Sequence, residues 1–216
     1  VKTFQQAQME GGLFTMSRLE ALEKNGDGFA GKDINGILYS ASCAIVATGR
    51  VPRRLSGPHS DVKGVNFCSV CDGPLFRGKN ATLAVVGSDN AAAQHALTLS
   101  LIADKVVLIY RSRERMMDAA HQERIASQDN IDLMPETEVT GYVGLDLVEA
   151  LEIATPSGGT ETVSVDGVFL AIGWSPNTEM IKLPVETIDG GYLKTDEKLM
   201  TSIPGMFAAG DVRDTD

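Results

Sequence analysis

The stretch ATLAVVGSDNAAAQHALTLSLIADKVVLIY, residues 81–110, decides how the middle of the chain folds. Residues 81–86 are apolar and rich in valine and stop at Gly87, which predicts a strand buried on both faces. Small and apolar residues then recur at helical spacing over 90–101, and KVVLIY at 105–110 repeats the buried-strand pattern. Two buried strands joined through a helix make a βαβ unit, so the middle of the chain is α/β. Beyond it, a second helix is expected over 114–127 and a short strand over 131–134. The runs 149–155 and 161–172 read as a β-meander ending in VFLAIG.

Working outward, three regions separate at 1–56, 57–175 and 176–216. The first opens in a helical pattern, alternates through GLFTMSRLEALEKNGDGFAG (12–31) and ends in ILYSASCAIVATG (37–49), a strand closed by glycine. The last is turn-rich and closes with IPGMFAAGDVRD (203–214). Because the chain opens inside a helical pattern and stops directly after a strand-like MFAA, both ends read as cut from a longer protein.

Composition narrows the function classes. The 216 residues are 43% hydrophobic with a net charge of −10, so no basic stripe offers itself to nucleic acid. No apolar run approaches the ~18 residues of a membrane span, and the N-terminus lacks the pattern of a secretion signal. Three cysteines are too few for a secreted disulfide framework. A cytoplasmic location is therefore expected, with no nucleic-acid or membrane partner.

Two of those cysteines stand in FCSVCDGPLFRGK (67–79). A structural zinc site needs four ligands, and the other candidates, Cys43, His59, His95 and His121, are not paired at ligand spacing. Half a zinc site, two coincidental thiols and a redox dithiol are the three readings. The dithiol explains the most: one thiolate of a CxxC attacks a disulfide and the other resolves the mixed disulfide. Asp72, next in sequence, could supply or take the proton that thiol chemistry requires. No metal is expected.

VVGSDNAAAQHA (85–96) compares with a dinucleotide fingerprint, which has glycine at the turn, glycine where backbone meets pyrophosphate, and Gly or Ala where helix packs on strand. Gly87 and Ala92 fit the first and third positions. Asp89 stands at the second, where a carboxylate repels an anion. At the end of the next strand Arg111, with Arg113 and Arg115 in YRSRER (110–115), suits a 2′-phosphate and hence NADPH rather than NADH. Three arginines at a helix start would otherwise oppose the dipole. In MFAAGDV (206–212), Asp211 follows a strand and a glycine, a position suited to a ribitol or ribose hydroxyl. Gly49 in ATGRVP (47–52) allows close backbone approach. Cys43 is expected to be a buried packing thiol, and Trp174 and the methionines to serve packing.

Taken in order, ATGRVPRRL, FCSVCDG, VVGSDNAAA, YRSRER, AIGWSPNT and SIPGMFAAGDV resemble the low-molecular-weight thioredoxin reductases. The resemblance spans nearly all of this chain but about two-thirds of the family's usual length. It implies an α/β fold in which a Rossmann-like NADPH domain is inserted into an FAD-binding domain of three-layer ββα type, the latter incomplete here. It also implies electron flow from NADPH through FAD and the dithiol to thioredoxin or a similar small dithiol protein, and a homodimer for the full-length form. By position, Cys68 would exchange with thioredoxin, Cys71 would face the flavin and Asp72 would donate a proton. Gly87, Ser88, Asn90, Ala92, Arg111, Arg113 and Arg115 would serve NADPH; Gly49, Gly210 and Asp211 would touch FAD. Residues 52–57 and 174–177 would be hinges between two domain orientations.

Several departures qualify that expectation. The family's N-terminal GxGxxG and the segment after GDV are absent, so the chain is expected to bind FAD poorly or not at all. Asp89, Ser112 and Met116 replace residues that the family uses for the nucleotide. Two other readings stay open. One is a related FAD-dependent dithiol oxidase, or a reductase with a donor other than a nicotinamide; the other is a non-catalytic nucleotide-binding module.

Overall fold

A computed structural model describes residues 2–56, 62–114 and 116–213. The chain divides into two compact units, Val1–Val51 with Ser175–Asp216, and Pro52–Trp174. In chain order the elements of the first half are α1 (Lys2–Met9), β1 (Leu19–Asn25), β2 (Gly28–Asp33), β3 (Leu38–Ala41), β4 (Ala44–Val46), β5 (Arg50–Pro52), β6 (Val65–Asn66), α2 (Ser69–Asp72), β7 (Thr82–Val86) and α3 (Asn90–Ser100). There follow β8 (Lys105–Ile109), α4 (Ala119–Ala126), β9 (Ile131–Met134), β10 (Glu138–Val143), β11 (Ala150–Ala154), β12 (Thr160–Ser164), β13 (Gly167–Leu170), β14 (Trp174–Pro176) and β15 (Met206–Ala208). Among the described residues no helix is long and apolar enough to cross a membrane. Gly57, at the end of the first expected hinge, lies outside the described residues.

The unit Pro52–Trp174 is built on a five-stranded sheet in the order β6-β13-β7-β8-β9, with every pairing parallel. Side chains alternate across a strand, and here both faces are covered. Leu83, Val85, Val106, Leu108 and Phe169 pack with Ala92, Ala93, Ala96 and Leu99 of α3. On the other face Ala84, Val86, Val107, Ile109 and Leu170 pack with Tyr142, Leu151 and Ile153 of the antiparallel sheet β10-β11-β12. The result is three layers: helix, parallel sheet, antiparallel sheet. Burying one such side chain contributes roughly 1.5–3 kcal/mol, so the unbroken apolar runs of β7, β8 and β13 fix their place in the middle.

Two of the expected elements need correction. The run over 161–172 does not continue the meander. It ends β12 at Ser164, reverses at Val165-Asp166, and re-enters the parallel sheet as β13 between β6 and β7. Asp166 holds that reversal by accepting the backbone N–H of Thr82 at 2.8 Å. Gly167 permits it, since a Cβ there would stand 2.5 Å from Cζ of Phe76. The helix expected over 114–127 is shortened to Ala119–Ala126, because the Asp118 carboxylate caps its N-terminus by accepting from His121 N–H at 2.8 Å. Arg111 and Arg113 therefore lie in the loop before the helix rather than in its first turn.

In the unit Val1–Val51 with Ser175–Asp216, β1, β2 and β3 form an antiparallel sheet, and β4 pairs in parallel with β15. Its core is Leu22, Phe29, Val46, Leu193, Met206, Ala208 and Val212. Cys43 is exposed rather than a buried packing thiol, because it lies in the short connection between β3 and β4, outside the strand whose Val46 enters the core. Trp174 is 41% exposed, and Met9, Met16 and Met116 are exposed as well. Packing therefore accounts for Met117 and Met206, which are buried, but not for Met9, Met16 and Met116.

Candidate redox site and nucleotide crevice

Cys68 and Cys71 form a disulfide. Cys68 is the N-cap of the one-turn helix α2, and its Sγ accepts the backbone N–H of Cys71 at 3.1 Å. Cys71 is exposed, whereas Cys68 and Asp72 are half-buried. The turn is anchored from beneath by Ser69, which is buried. Its backbone N–H donates to Nδ1 of His95 on α3 at 3.3 Å, and its Oγ lies 2.8 Å from the same nitrogen. A backbone N–H can only donate, so Nδ1 carries the lone pair and the ring is neutral with its proton on Nε2. Burial pushes the His95 pKa down, against the opposing pull of the Asp89 carboxylate. Sequence reasoning passes over His95 as a scattered histidine, because its partner sits on another element. Among the described residues no group of three or more His, Cys, Asp and Glu side chains is arranged to hold a metal ion; His59 lies outside them.

A crevice of about 740 Å³ opens at the carboxyl ends of β7 and β8, the place where open α/β sheets take ligands. Gly87, Ser88, Asp89, Arg111 and Glu138 line it, with Arg53 and Arg54 on its wall. Gly87 has φ +148°, and a Cβ there would lie 2.2 Å from the carbonyl oxygen of Ala171. Only glycine fits, as the first fingerprint position requires. Ala92 is fully buried against the strand, as the third requires.

The second position behaves differently. Asp89 is the N-cap of α3, and its Oδ1 accepts the backbone N–H of Ala92 at 3.0 Å. Asn90 is turned to the structure as well, its Oδ1 accepting from Asp118 N–H at 2.8 Å. The carbonyl of Ser88 accepts from Met116 N–H at 2.9 Å. Arg111 reaches Glu138 with Nη1 3.4 Å from Oε1. Arg113 is exposed, and Arg115 lies outside the described residues. Thus Gly87, Ser88 and Arg111 line one crevice, while a carboxylate accompanies each of the two anion anchors. The residues present do not fit a dinucleotide pyrophosphate.

In the other unit, parallel pairing of β4 with β15 sets Val46 beside Ala208, so Gly49 and Gly210 leave the same sheet edge although they are far apart in sequence. Their φ values are +64° and +71°, and a Cβ on either would meet nothing within 4 Å. Open space over two glycines at a strand edge fits a ligand that approaches the backbone, as FAD would. Asp211 is held by Arg50, with Nε 3.2 Å from Oδ2. Thr48 and Asn177 lock together: Thr48 Oγ1 donates to the Asn177 carbonyl at 2.6 Å, and Asn177 Nδ2 donates to the Thr48 carbonyl at 2.9 Å. Asn177 ends the second expected hinge and Thr48 falls inside ATGRVPRRL, but nothing in the sequence pairs them.

Residues 9–216 match the family described as pyridine nucleotide-disulphide oxidoreductase, and the chain belongs to that family. Membership implies a flavin and a pyridine nucleotide. The F subunit of alkyl hydroperoxide reductase from Staphylococcus aureus is 37% identical over 184 residues, 83% of this chain and 36% of its own length. The 34.2 kDa protein in the rubredoxin operon of Clostridium pasteurianum is 32% identical over 181 residues, 82% of this chain and 58% of its own. The chain thus spans little more than a third of the first relative. Among solved structures, thioredoxin reductase of T. acidophilum superposes with a TM-score of 0.76 at 27% identity, covering 100% of this chain and 72% of its own. That of Streptococcus pyogenes gives 0.68 at 31% identity, with 100% and 71% covered. The fold is therefore the α/β fold of thioredoxin reductases, and the chain carries a family-type redox disulfide.

Proposed function

We propose that the chain is part of a flavin-dependent disulfide reductase, with FAD-binding segments 1–56 and 176–216 flanking a domain, 57–175, that carries the dithiol. Two electrons and two protons reduce the Cys68–Cys71 disulfide to a dithiol. The Cys68 thiolate then attacks a disulfide of thioredoxin or a similar small dithiol protein, and a mixed disulfide forms as one partner thiolate leaves. Cys71 attacks Cys68 in that adduct, which restores the disulfide and releases the reduced partner. In this reading Cys71 faces the flavin and Asp72 supplies protons. Gly49, Gly210 and Asp211 contact FAD, which when bound supplies the two-electron relay. The full-length form is a homodimer acting in the cytoplasm. The single observation that carries the reading is the CxxC disulfide itself, its turn anchored to the helix of a βαβ unit.

Two features bear on what lies upstream and downstream. Family membership and Arg111 support NADPH as the electron source; Asp89 supports a donor other than a nicotinamide. The relative that belongs to alkyl hydroperoxide reductase supports a second acceptor, another component of a hydroperoxide-reducing system.

The test is Cys71→Ser. The variant, mixed with oxidised thioredoxin after reduction of Cys68, should accumulate a covalent adduct on a non-reducing gel that dithiothreitol dissolves. A folded variant that forms no adduct with thioredoxin or any small dithiol protein would leave the chain a non-catalytic module.

A further inference from the structure

We infer that the carboxylates of Asp89 and Glu138 close the crevice at the ends of β7 and β8 to nicotinamide dinucleotides, and are the residues that decide which electron donor this domain accepts. The inference deepens the disulfide-reductase reading and rests on it for the electron-donor role; the closure stands on the crevice itself.

A dinucleotide is held in such a unit at two points. Its pyrophosphate sits on the free N–H groups and positive dipole end of the first helix. Its adenosine ribose, or the 2′-phosphate on it, is read at the end of the second strand. At the first point the Asp89 carboxylate already accepts the Ala92 N–H at 3.0 Å. One of the donors that would bind pyrophosphate is therefore satisfied internally, and a full negative charge offsets a helix-end charge equivalent to about half a unit. Beside it the Ser88 carbonyl accepts from Met116 N–H and the Asn90 side-chain oxygen from Asp118 N–H; both groups are acceptors, so these bonds hold the loop in place without occupying a donor.

At the second point Arg111 is 3.4 Å from Glu138, the first residue of β10. A 2′-phosphate would have to displace Glu138 or lie against it. Arg53 and Arg54 also line the crevice, and Arg54 lies over the ring of Phe67 at 5.1 Å. Binding there depends on donors aimed at the pyrophosphate rather than on net charge. Gly87 and Ala92 keep the shape of the fingerprint because helix and strand need it to pack. The anion-holding position between them has been given to an N-cap.

The experiment is calorimetric titration of the full chain with NADPH and with NADH, alongside Asp89→Gly and Asp89→Gly/Glu138→Gln. Glycine is itself an accepted N-cap, so α3 has no reason to unwind in the variants, and circular dichroism checks this. The chain should show no saturation at millimolar NADPH. Asp89→Gly should gain saturable binding, at least tenfold tighter, and the double variant should add a preference for NADPH over NADH. Saturable, NADPH-selective binding by the unaltered chain would overturn the inference. So would a natively folded double variant that still fails to bind. Neither result depends on adduct formation by Cys71→Ser, so failure here and failure of the disulfide-reductase reading are distinguishable.

Discussion

Nδ1 of His95 sits 2.8 Å from Oγ of Ser69 and 3.3 Å from its backbone nitrogen, and so ties the dithiol turn to the middle of α3. Ser69 is buried and stands between the two redox cysteines in sequence. Without its acceptor a buried hydroxyl and a backbone N–H lose a partner at the same place, which costs roughly 1–3 kcal/mol per unsatisfied group. His95→Ala should lower the unfolding free energy by about that amount and speed hydrogen exchange of the amides at 69–72. A variant with unchanged exchange there would show that the anchor carries no weight. Ser69→Ala on top of His95→Ala should recover part of the loss, since the hydroxyl is then gone.

The same ring gives stability a pH dependence of definite sign. Burial lowers the His95 pKa below its ordinary 6.5, with the Asp89 carboxylate opposing. Just below 6.5 the unfolded chain therefore binds more protons than the folded one, and stability rises with pH. This contribution is complete above 6.5 and is lost as pH falls through the folded value. Urea midpoints measured from pH 8 down to pH 5 should fall more steeply for the unaltered chain than for His95→Gln. Parallel curves would mean that His95 titrates as it does in the unfolded state.

Tyr142 works in the other direction. It is 3% exposed, on β10 inside the apolar layer between the two sheets, and burial raises its pKa to about 12 against the lowering effect of Arg54. The folded state keeps the phenol protonated where the unfolded chain, near its ordinary 10.0, releases it. Stability from this group is full below pH 10 and is lost as pH rises toward 12. Absorbance at 295 nm should therefore show one tyrosine ionising only as the domain unfolds, and Tyr142→Phe should remove that late step. A normal titration of all four tyrosines in the folded chain would contradict it.

What can be read from sequence follows the physics of burial. Strands covered on both faces must be apolar throughout, so β7 and β8 announce themselves, and the glycine that ends β7 marks the turn. The run over 161–172 carries the Asp-Gly pair of a reversal, but its flanking apolar residues obscure a strand that leaves one sheet and joins another. The second helix begins late because Asp118 is a stronger start signal than the charged residues before it. Asp89 is legible as a defect at one position. Its partner in closing the crevice, Glu138, is not, because β10 brings it beside Arg111 only in three dimensions. His95 with Ser69, and Thr48 with Asn177, are hidden for the same reason. Residue type and local spacing say nothing about which turn a side chain will face.

Gly87 separates the two uses of the fingerprint, packing and ligand binding. With φ +148° and a Cβ that would stand 2.2 Å from the Ala171 carbonyl oxygen and 3.0 Å from Cβ of Ala92, it is needed by the fold whether or not a nucleotide binds. Gly87→Ala must strain the backbone and push β13 or α3 outward, at a cost of roughly 1–3 kcal/mol for each effect. Asp89→Ala instead removes only an N-cap, worth about 0.5–2 kcal/mol. Thermal unfolding should therefore rank Gly87→Ala below Asp89→Ala, and both below the unaltered chain. If Asp89→Ala were the more damaging of the two, the carboxylate would be holding the structure far beyond its bond to Ala92, and its presence at the pyrophosphate position would be a matter of folding rather than of donor choice.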